Sequence, residues 1–455
     1  MFKLTPRRQP LPHAQRVPLR GSVVRRVIVG LGLAAVFVGC GARGGYGTTE
    51  TVAVDTEPAP IGVGERELAE YPYRDYGAHH VEEQTELGDW VPVEPPVDPL
   101  RGPEPRSVAD EVELQYVIGP AVARTLGYRV DWQYPSTGTP LRLCEVSGDL
   151  VFTLDQRNFL TCLQREDGDR RWRVPTTQAV EKIFGITYVP EAERVYLTTG
   201  SDLLVIDTAS GALLDKQRLQ QIANTAPVRV GPFLVYGSRS GQAVWHSYQL
   251  GSYWRGYQIA QSINLPPVYA DGHVVLVGQG GRIMSLRADS ATQAWSRRAL
   301  ASVDAPPVAG GGAVYVASLD QHVRAYDIGT ARSPLWEYLT ESPLSESPVL
   351  VGDFVYQQVP SEGLVCLEAQ PFDSPGGVVA WTAPEIKGSV VAARGANLLT
   401  WAPESRRLAV LDARYGAIAE RLFMPQVAHL SAPVPDGDLF AIGTDGRVCR
   451  IVPRR

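Results

Sequence analysis

Short apolar runs alternate with polar turns along most of the chain, and the alternation returns at a regular interval. In residues 302–338, four runs (PPVAG, AVYVAS, HVRAYD and PLWEY) each have about the length of an ordinary β-strand. Glycine and aspartate separate the runs, as turns require. Valine, tyrosine and alternating apolar residues favour a pleated, half-buried surface. One such unit is therefore predicted to be a sheet of four short strands.

Three landmarks of this unit recur about every 41 residues. A small residue followed by valine begins a unit, at Pro227, Pro267, Pro307, Pro348, Ser389 and Pro433. A glycine precedes the second strand, and a tryptophan closes the unit, at Trp172, Trp254, Trp295, Trp336 and Trp381. A single four-stranded sheet cannot bury both of its faces, whereas copies stacked radially can. The repeat therefore predicts a β-propeller.

The number of second strands gives the size of the ring. Eight apolar cores occur, beginning at Leu150, Val195, Leu234, Val274, Val314, Phe354, Leu398 and Leu439. The eighth unit lacks a closing tryptophan strand, and Tyr128–Tyr134 (YRVDWQY) can supply it by pairing in the sheet of Leu439–Val452. The prediction is an all-β, eight-bladed propeller of four-stranded blades over residues 127–455. An N-terminal strand closes it and removes two open edges.

Residues 1–40 have the pattern of a targeting segment. Basic residues precede a twelve-residue apolar run, Val27 to Val38, which is too short to span a bilayer, and the first acidic residue is Glu50. The run ends Phe37-Val38-Gly39-Cys40, which resembles a bacterial lipoprotein box. We therefore predict a lipoprotein signal peptide with lipidation at Cys40. The alternative is an uncleaved signal anchor.

Two segments lie between the targeting segment and the predicted propeller. Residues 41–106 are rich in proline, glycine and acidic residues and are predicted to be a disordered tether. Residues 107–126 are apolar enough to be a short ordered lead-in packed on the ring. The whole chain has 44% hydrophobic and 20% charged residues, as ordinary globular proteins have. Its net charge of −6 argues against nucleic acid as a partner.

When the repeat units are aligned by sequence, Cys162, Cys366 and Cys449 fall at the same position. Other units have alanine or serine there. A buried free thiol behaves as a small hydrophobe, so these are predicted to be packing positions rather than disulfides.

The order Pro-Val, turn glycine, Val-Tyr-Val, aspartate and tryptophan over residues 127–455 resembles the PQQ-like β-propeller repeat. With a lipoprotein signal, the chain is similar to the eight-bladed lipoproteins of outer-membrane β-barrel assembly. That resemblance implies a non-catalytic, lipid-anchored scaffold of the bacterial cell envelope, facing the periplasm, at the outer rather than the inner membrane. Its implied partners are envelope or outer-membrane proteins, with no cofactor and no small-molecule substrate.

The alternative of a different class is a quinoprotein (PQQ-dependent) dehydrogenase, which shares the repeat. Resemblance to those enzymes would imply an adjacent-cysteine disulfide, a carboxylate-amide calcium site and a catalytic aspartate. This chain has no Cys-Cys pair. Asp207, Asp327 and Asp412 precede turns at the repeat interval and are predicted to cap them. No catalytic, cofactor or metal site is predicted, and an envelope structural protein or a sensor is a third alternative.

The third unit departs from the repeat between residues 244 and 257, VWHSYQLGSYWRGY. The repeat interval assigns Trp254 as its closing tryptophan, which leaves four surplus aromatic residues, Trp245, Tyr248, Tyr253 and Tyr257. Aromatic residues with arginine are enriched at protein-binding hot spots. We therefore expect these four residues to bind a partner, with Trp245, Tyr248 and Tyr257 partly exposed on one rim. The alternative is that they fill a wider gap between two blades.

Overall fold

The computed structural model describes residues 108–371 and 374–454. Two short helices, α1 (Val108–Gln115) and α2 (Pro120–Thr125), precede 32 strands. Neither of these helices is long and apolar enough to cross a membrane. The predicted signal peptide, Cys40 and the segment 41–106 lie outside the described residues.

The strands form eight four-stranded antiparallel blades. The N-terminal strand β1 (Tyr128–Tyr134) belongs to the last blade. Blade 1 has β2 (Leu141–Ser147), β3 (Leu150–Asp155), β4 (Phe159–Gln164) and β5 (Arg170–Pro175); blade 2 has β6 (Ile183–Val189), β7 (Arg194–Thr199), β8 (Asp202–Asp207) and β9 (Leu213–Arg218), with a 3₁₀ turn at Pro190–Ala192. Blade 3 has β10 (Val228–Val230), β11 (Phe233–Gly237), β12 (Gln242–Ser247) and β13 (Ser252–Gln258); blade 4 has β14 (Val268–Ala270), β15 (His273–Gly278), β16 (Arg282–Arg287) and β17 (Gln293–Arg298).

The same order continues to the end of the chain. Blade 5 has β18 (Val308–Gly310), β19 (Ala313–Ser318), β20 (His322–Asp327) and β21 (Trp336–Leu339); blade 6 has β22 (Val349–Val351), β23 (Phe354–Val359), β24 (Gly363–Glu368) and β25 (Val379–Ala383). Blade 7 has β26 (Ser389–Arg394), β27 (Asn397–Ala402), β28 (Arg407–Asp412) and β29 (Ile418–Phe423); blade 8 has β30 (Val427–Ser431), β31 (Leu439–Gly443) and β32 (Val448–Pro453), completed by β1.

The blades surround one axis. First strands of neighbouring blades contact each other, as β2 with β6, β10 with β14, β14 with β18, β18 with β22, β22 with β26 and β26 with β30. First strands therefore line the axis and fourth strands form the periphery. The predicted all-β, eight-bladed propeller is confirmed. We call the side with the turns from first to second and from third to fourth strands the turn face.

The N-terminal strand closes the ring, as predicted. β1 pairs antiparallel with β32, from Tyr128 opposite Pro453 to Tyr134 opposite Val448. One landmark of the last unit is wrong: Pro433-Val434 follows the first strand of blade 8, β30, and does not begin it. The 44-residue interval before Pro433 was the irregular one.

The helical lead-in packs against blades 7 and 8. Val117 and Ile118, between α1 and α2, are buried with Ala123 and Leu126 in one apolar cluster. That cluster also contains Trp401 and other residues of blades 7 and 8. Burial of apolar surface therefore holds α1 and α2 on these blades.

One kind of hydrogen bond joins every blade to the next. A side-chain N–H of each blade donates to the carbonyl that directly follows the third strand of the next blade. The pairs are Trp172 Nε1 to Thr208 (2.9 Å), Gln217 Nε2 to Tyr248 (3.0 Å), Trp245 Nε1 to Ala288 (3.1 Å), Trp295 Nε1 to Ile328 (2.9 Å), Trp336 Nε1 to Ala369 (2.9 Å), Trp381 Nε1 to Ala413 (2.9 Å), Arg394 Nη2 to Arg454, and Trp132 Nε1 to Arg165 (2.9 Å). The repeat tryptophan thus satisfies its buried N–H across the blade junction.

The turn that receives a tryptophan needs glycine. Gly211 has φ +75°, and a Cβ there would lie 2.7 Å from the ring of Trp172. A Cβ on Gly416, which is equivalent and has φ +69°, would likewise overlap the ring of Trp381. Only glycine combines this backbone with this close approach.

The junction of blades 8 and 1 carries an additional ion network. Arg450 Nη2 contacts Asp438 at 2.7 Å, and its Nη1 contacts Asp131 at 2.9 Å. Arg165 of blade 1 reaches the same Asp438 at 2.9 Å. Burial alone would raise the pKa of Asp438, but hydrogen bonds from Arg450 and Arg165 lower it below the ordinary value. The stabilisation from this carboxylate is therefore present above about pH 3.9 and is lost as the pH falls further.

Replacing Arg450 tests whether this network holds the ring closed. Arg450→Met leaves Asp131 and Asp438 mostly buried with one partner fewer, so we expect unfolding free energy to fall by about 3 kcal/mol in urea denaturation. Arg421→Met is the matched control, because Arg421 pairs with Glu385 on the surface and its loss costs less than about 1 kcal/mol. Equal effects of the two substitutions would contradict the assignment.

Candidate protein-binding surface

Two of the four aromatic residues predicted to bind a partner are buried. Trp245 has no exposed surface and packs against Val274 and Leu276 of blade 4. Tyr248 is buried against Tyr196 of blade 2, with ring centres 5.1 Å apart, and its hydroxyl donates to the Gly231 carbonyl. The expectation that both are partly exposed is wrong, because both fill junctions between blades.

The register of blade 3 explains this burial. Closing tryptophans lie opposite a small residue of the third strand, as Trp172 lies opposite Cys162 and Trp295 opposite Ser285. In blade 3 the corresponding pair is Trp245 and Arg255. Trp245 thus supplies the interblade indole from the third strand, and Trp254 is not the repeat tryptophan.

Because Trp245 fills the junction, Trp254 lies at the surface. It is 39% exposed and stacks on Phe233, with ring centres 4.6 Å apart and planes 21° apart. The Arg255 guanidinium carbon lies 5.2 Å from the Trp254 ring centre, a cation–π distance, and Arg255 Nη1 donates to the Ser290 carbonyl at 2.8 Å. The stacking on Phe233 and the contact with Arg255 therefore fix the orientation of the exposed indole in the protein alone.

Tyr253 and Tyr257 remain accessible to different degrees. Tyr253 is exposed near the turn-face end of β13. Tyr257 is half-buried beside the Trp245 cluster, and its hydroxyl donates to Gln293 Oε1 at 2.7 Å. Leu250, in the turn before β13, is 81% exposed.

A groove of about 600 Å³ lies beside these residues. Phe233 and Tyr269 line it, together with turns of blades 3, 4 and 5. Arg287, Asp271 and Asp289 also line the groove, so both signs of charge are present. We define the blade 3 patch as Phe233, Leu250, Tyr253, Trp254 and Tyr269. It combines exposed apolar side chains and the half-buried Phe233 ring with nearby polar groups, the composition of a protein-binding surface.

A buried histidine lies behind this patch. His246 Nε2 donates to Gln217 Oε1 at 3.1 Å, within the junction of blades 2 and 3. Burial lowers the pKa of His246, so the neutral imidazole is favoured. Gln217 in turn donates to the Tyr248 carbonyl, which links His246 to the interblade bond of blade 2.

The cysteines are packing residues with one correction. Burial raises the pKa of Cys162 and Cys366 to about 12, so their thiols are protonated near neutral pH. Cys449 does not share their position, because Arg450 lies opposite Phe440 as Cys162 lies opposite Phe152. A shift of one residue places Cys449 on the opposite face, in the cluster with Ala441 and Ile451. The four described cysteines are free.

The repeat aspartates cap turns, as predicted. Asp207 accepts from the backbone N–H of Ser210, Asp327 from those of Gly329 and Thr330, and Asp412 from those of Arg414 and Tyr415. Within residues 108–371 and 374–454, no group of three or more His, Cys, Asp or Glu side chains could hold a metal ion.

The fold defines a β-propeller of the PQQ-like repeat class, as the sequence resemblance implied. The chain belongs to the family described as outer membrane protein assembly factor BamB, whose model matches residues 122–232 and 231–454. The solved BamB of Moraxella catarrhalis has a TM-score of 0.57 and 16% identity, and the match covers 71% of this chain and 97% of that chain. The solved structure of a computationally designed protein, Ika8, has a TM-score of 0.58 and 12% sequence identity. That match covers 71% of this chain and 99% of the designed chain. No curated protein matches the chain.

Substitutions in blade 3 distinguish the buried tryptophan from the exposed one. Trp245→Ala removes a core indole and its interblade bond, so we expect unfolding free energy to fall by about 3–5 kcal/mol. Trp254→Ala removes only a surface stack, so its loss is expected to stay near 1 kcal/mol. Urea denaturation of both variants measures the difference. A larger loss for Trp254→Ala would contradict the assigned register.

Proposed function

We propose that this protein is a non-catalytic, membrane-anchored scaffold of the bacterial cell envelope that binds proteins during outer-membrane protein assembly. Membership of the family described as outer membrane protein assembly factor supports the process. The absence of a Cys-Cys pair supports a scaffold over a quinoprotein dehydrogenase. The partner class is an outer-membrane assembly protein.

The observation that carries the binding role is the exposed Trp254 ring stacked on Phe233. Large exposed apolar side chains grouped on one surface are typical of interaction sites. Trp254 is also held by Arg255, so little side-chain freedom is lost when a partner covers it. We infer that Trp254 and Tyr253 are the main contacts of the blade 3 patch, with Leu250 at its edge. Tyr257 belongs to its base, and Trp245 and Tyr248 act only by supporting it.

Recovery of the partner tests this surface. We expect Tyr253→Ala combined with Trp254→Ala to reduce co-purification of β-barrel assembly proteins, identified by mass spectrometry from detergent-solubilised envelopes, at least about tenfold. Tyr415→Ala is the matched control, since Tyr415 is an exposed aromatic residue in the turn between β28 and β29 of blade 7. Unchanged recovery with the double variant at an unchanged melting temperature would reject the patch.

The anchor at Cys40 is a separate part of the proposal. Acyl chains on one cysteine attach a protein to a bilayer through burial of their methylene groups, each contributing about 0.8 kcal/mol. We expect Cys40→Ser to move the protein from the membrane fraction to the soluble envelope fraction. Immunoblotting of fractions washed in high salt measures this. Retention of the variant on membranes would favour the uncleaved signal anchor or a tight protein partner.

A further inference from the structure

A second groove, of about 690 Å³, lies at the outer edge of blade 8, and none of its lining residues belongs to the blade 3 patch. Five consecutive residues of β1, Arg129 to Gln133, line one side. Gln115, Tyr116, Pro120 and Arg124 of the helical lead-in line the other, with Arg454. The groove therefore runs along a strand.

The strand beside the groove has an open edge. In its sheet the order is β1-β32-β31-β30, so β1 has a strand neighbour on one side only. Among the described residues, none pairs with the other edge of β1. Such an edge presents backbone N–H and C=O groups that an added strand, about 4.8 Å away, can satisfy. The groove leaves this edge approachable.

The molecule covers another outer edge with an extended segment. In blade 5, the Glu337 N–H donates to the Pro375 carbonyl at 3.1 Å, and the Gly377 N–H donates to the Glu337 carbonyl at 2.9 Å. Glu337 and Gly376 thereby form a parallel bridge between blade 6 and the fourth strand of blade 5. An outer edge of this propeller thus accepts strand-like pairing from an extended segment.

The charge of the groove at blade 8 is positive. Arg124, Arg129 and Arg454 line it and are exposed, Arg129 with 63% of its side chain accessible. Asp131 is the one acidic residue of the lining, and it pairs with Arg450 at 2.9 Å and with Arg129 at 3.5 Å. The surplus of arginine lies on a chain whose net charge is −6. The lining therefore favours a negatively charged occupant.

We propose that this groove binds an acidic, extended segment of a partner protein, which adds as a strand to the free edge of β1. Backbone hydrogen bonds to β1 supply the pairing, and Arg124, Arg129 and Arg454 select carboxylate side chains. The site does not include any residue of the blade 3 patch, so it can be present or absent independently of the proposed function.

Binding of synthetic peptides to the full-length protein tests the site. The probe is a short fluorescent peptide of alternating glutamate and valine, followed by fluorescence anisotropy at low and high salt. We expect saturable binding that Arg124→Glu combined with Arg129→Glu weakens at least about tenfold. Arg218→Glu is the matched control, because Arg218 is 78% exposed on β9, the fourth strand of blade 2. It is expected to leave the affinity within about twofold.

Two further measurements separate strand addition from charge attraction alone. The same peptide with prolines in place of valines lacks the N–H groups of a strand, so we expect its affinity to fall at least about tenfold. Hydrogen exchange is expected to slow at residues 129–133 when the acidic peptide binds. Equal binding of the proline peptide, equal loss with Arg218→Glu, or protection confined to other blades would overturn the proposal. So would protection of residues 129–133 that depends on protein concentration alone, which would mean that a second copy occupies the groove.

Discussion

The hydrogen bond from one blade to the carbonyl after the third strand of the next is the interaction on which the ring depends. It recurs at all eight junctions, although the donor is tryptophan at six of them, Gln217 at one and Arg394 at another. A blade alone leaves one face of its sheet uncovered, and a ring closes only if each junction is satisfied. Because the acceptor is a backbone carbonyl, the identity of the accepting residue can vary from blade to blade, while the donor side chain must reach it.

Blade 3 shows the consequence of moving the donor to another strand. Trp245 reaches Ala288 from the third strand, so the indole of the fourth strand is not needed at that junction. The turn of blade 4 that would lie under a closing tryptophan then has Ala291, at φ +52°, where Gly211 and Gly416 stand in other blades. The structural requirement is met from another strand, and Trp254 is available for the surface. The candidate binding surface thus results from how this junction is closed.

The sequence predicts the architecture well because interval and blade number depend on many residues at once. Whether an individual side chain is exposed depends on the exact strand register. A register error of one residue moves that side chain to the opposite face of the sheet. The interval of 41 residues assigned Trp254 to the repeat, but Pro227 and Pro267 are 40 apart, and 40 residues before Trp295 is Arg255. Cys449 was misplaced in the same way. The edge of β1, the helices beside it and the groove between them depend on tertiary packing, for which the local sequence has no pattern.

Arg450 connects these observations. It occupies the third-strand position where blades 1, 4, 5 and 6 have a small residue. There it contacts Asp438 and Asp131, and it also donates to the Arg165 carbonyl, which accepts from Trp132. The ring is therefore closed by an N-terminal strand whose inner edge pairs with β32 and whose Asp131 binds Arg450. No strand of the described residues pairs with its outer edge, and Arg129, which pairs with Asp131 at 3.5 Å, lines the groove there. The same strand that completes the fold thus provides a basic edge at the periphery, at a different blade from the aromatic patch. A rigid ring can hold two such surfaces at a fixed separation without contact between them, which is the physical basis for its use as a scaffold.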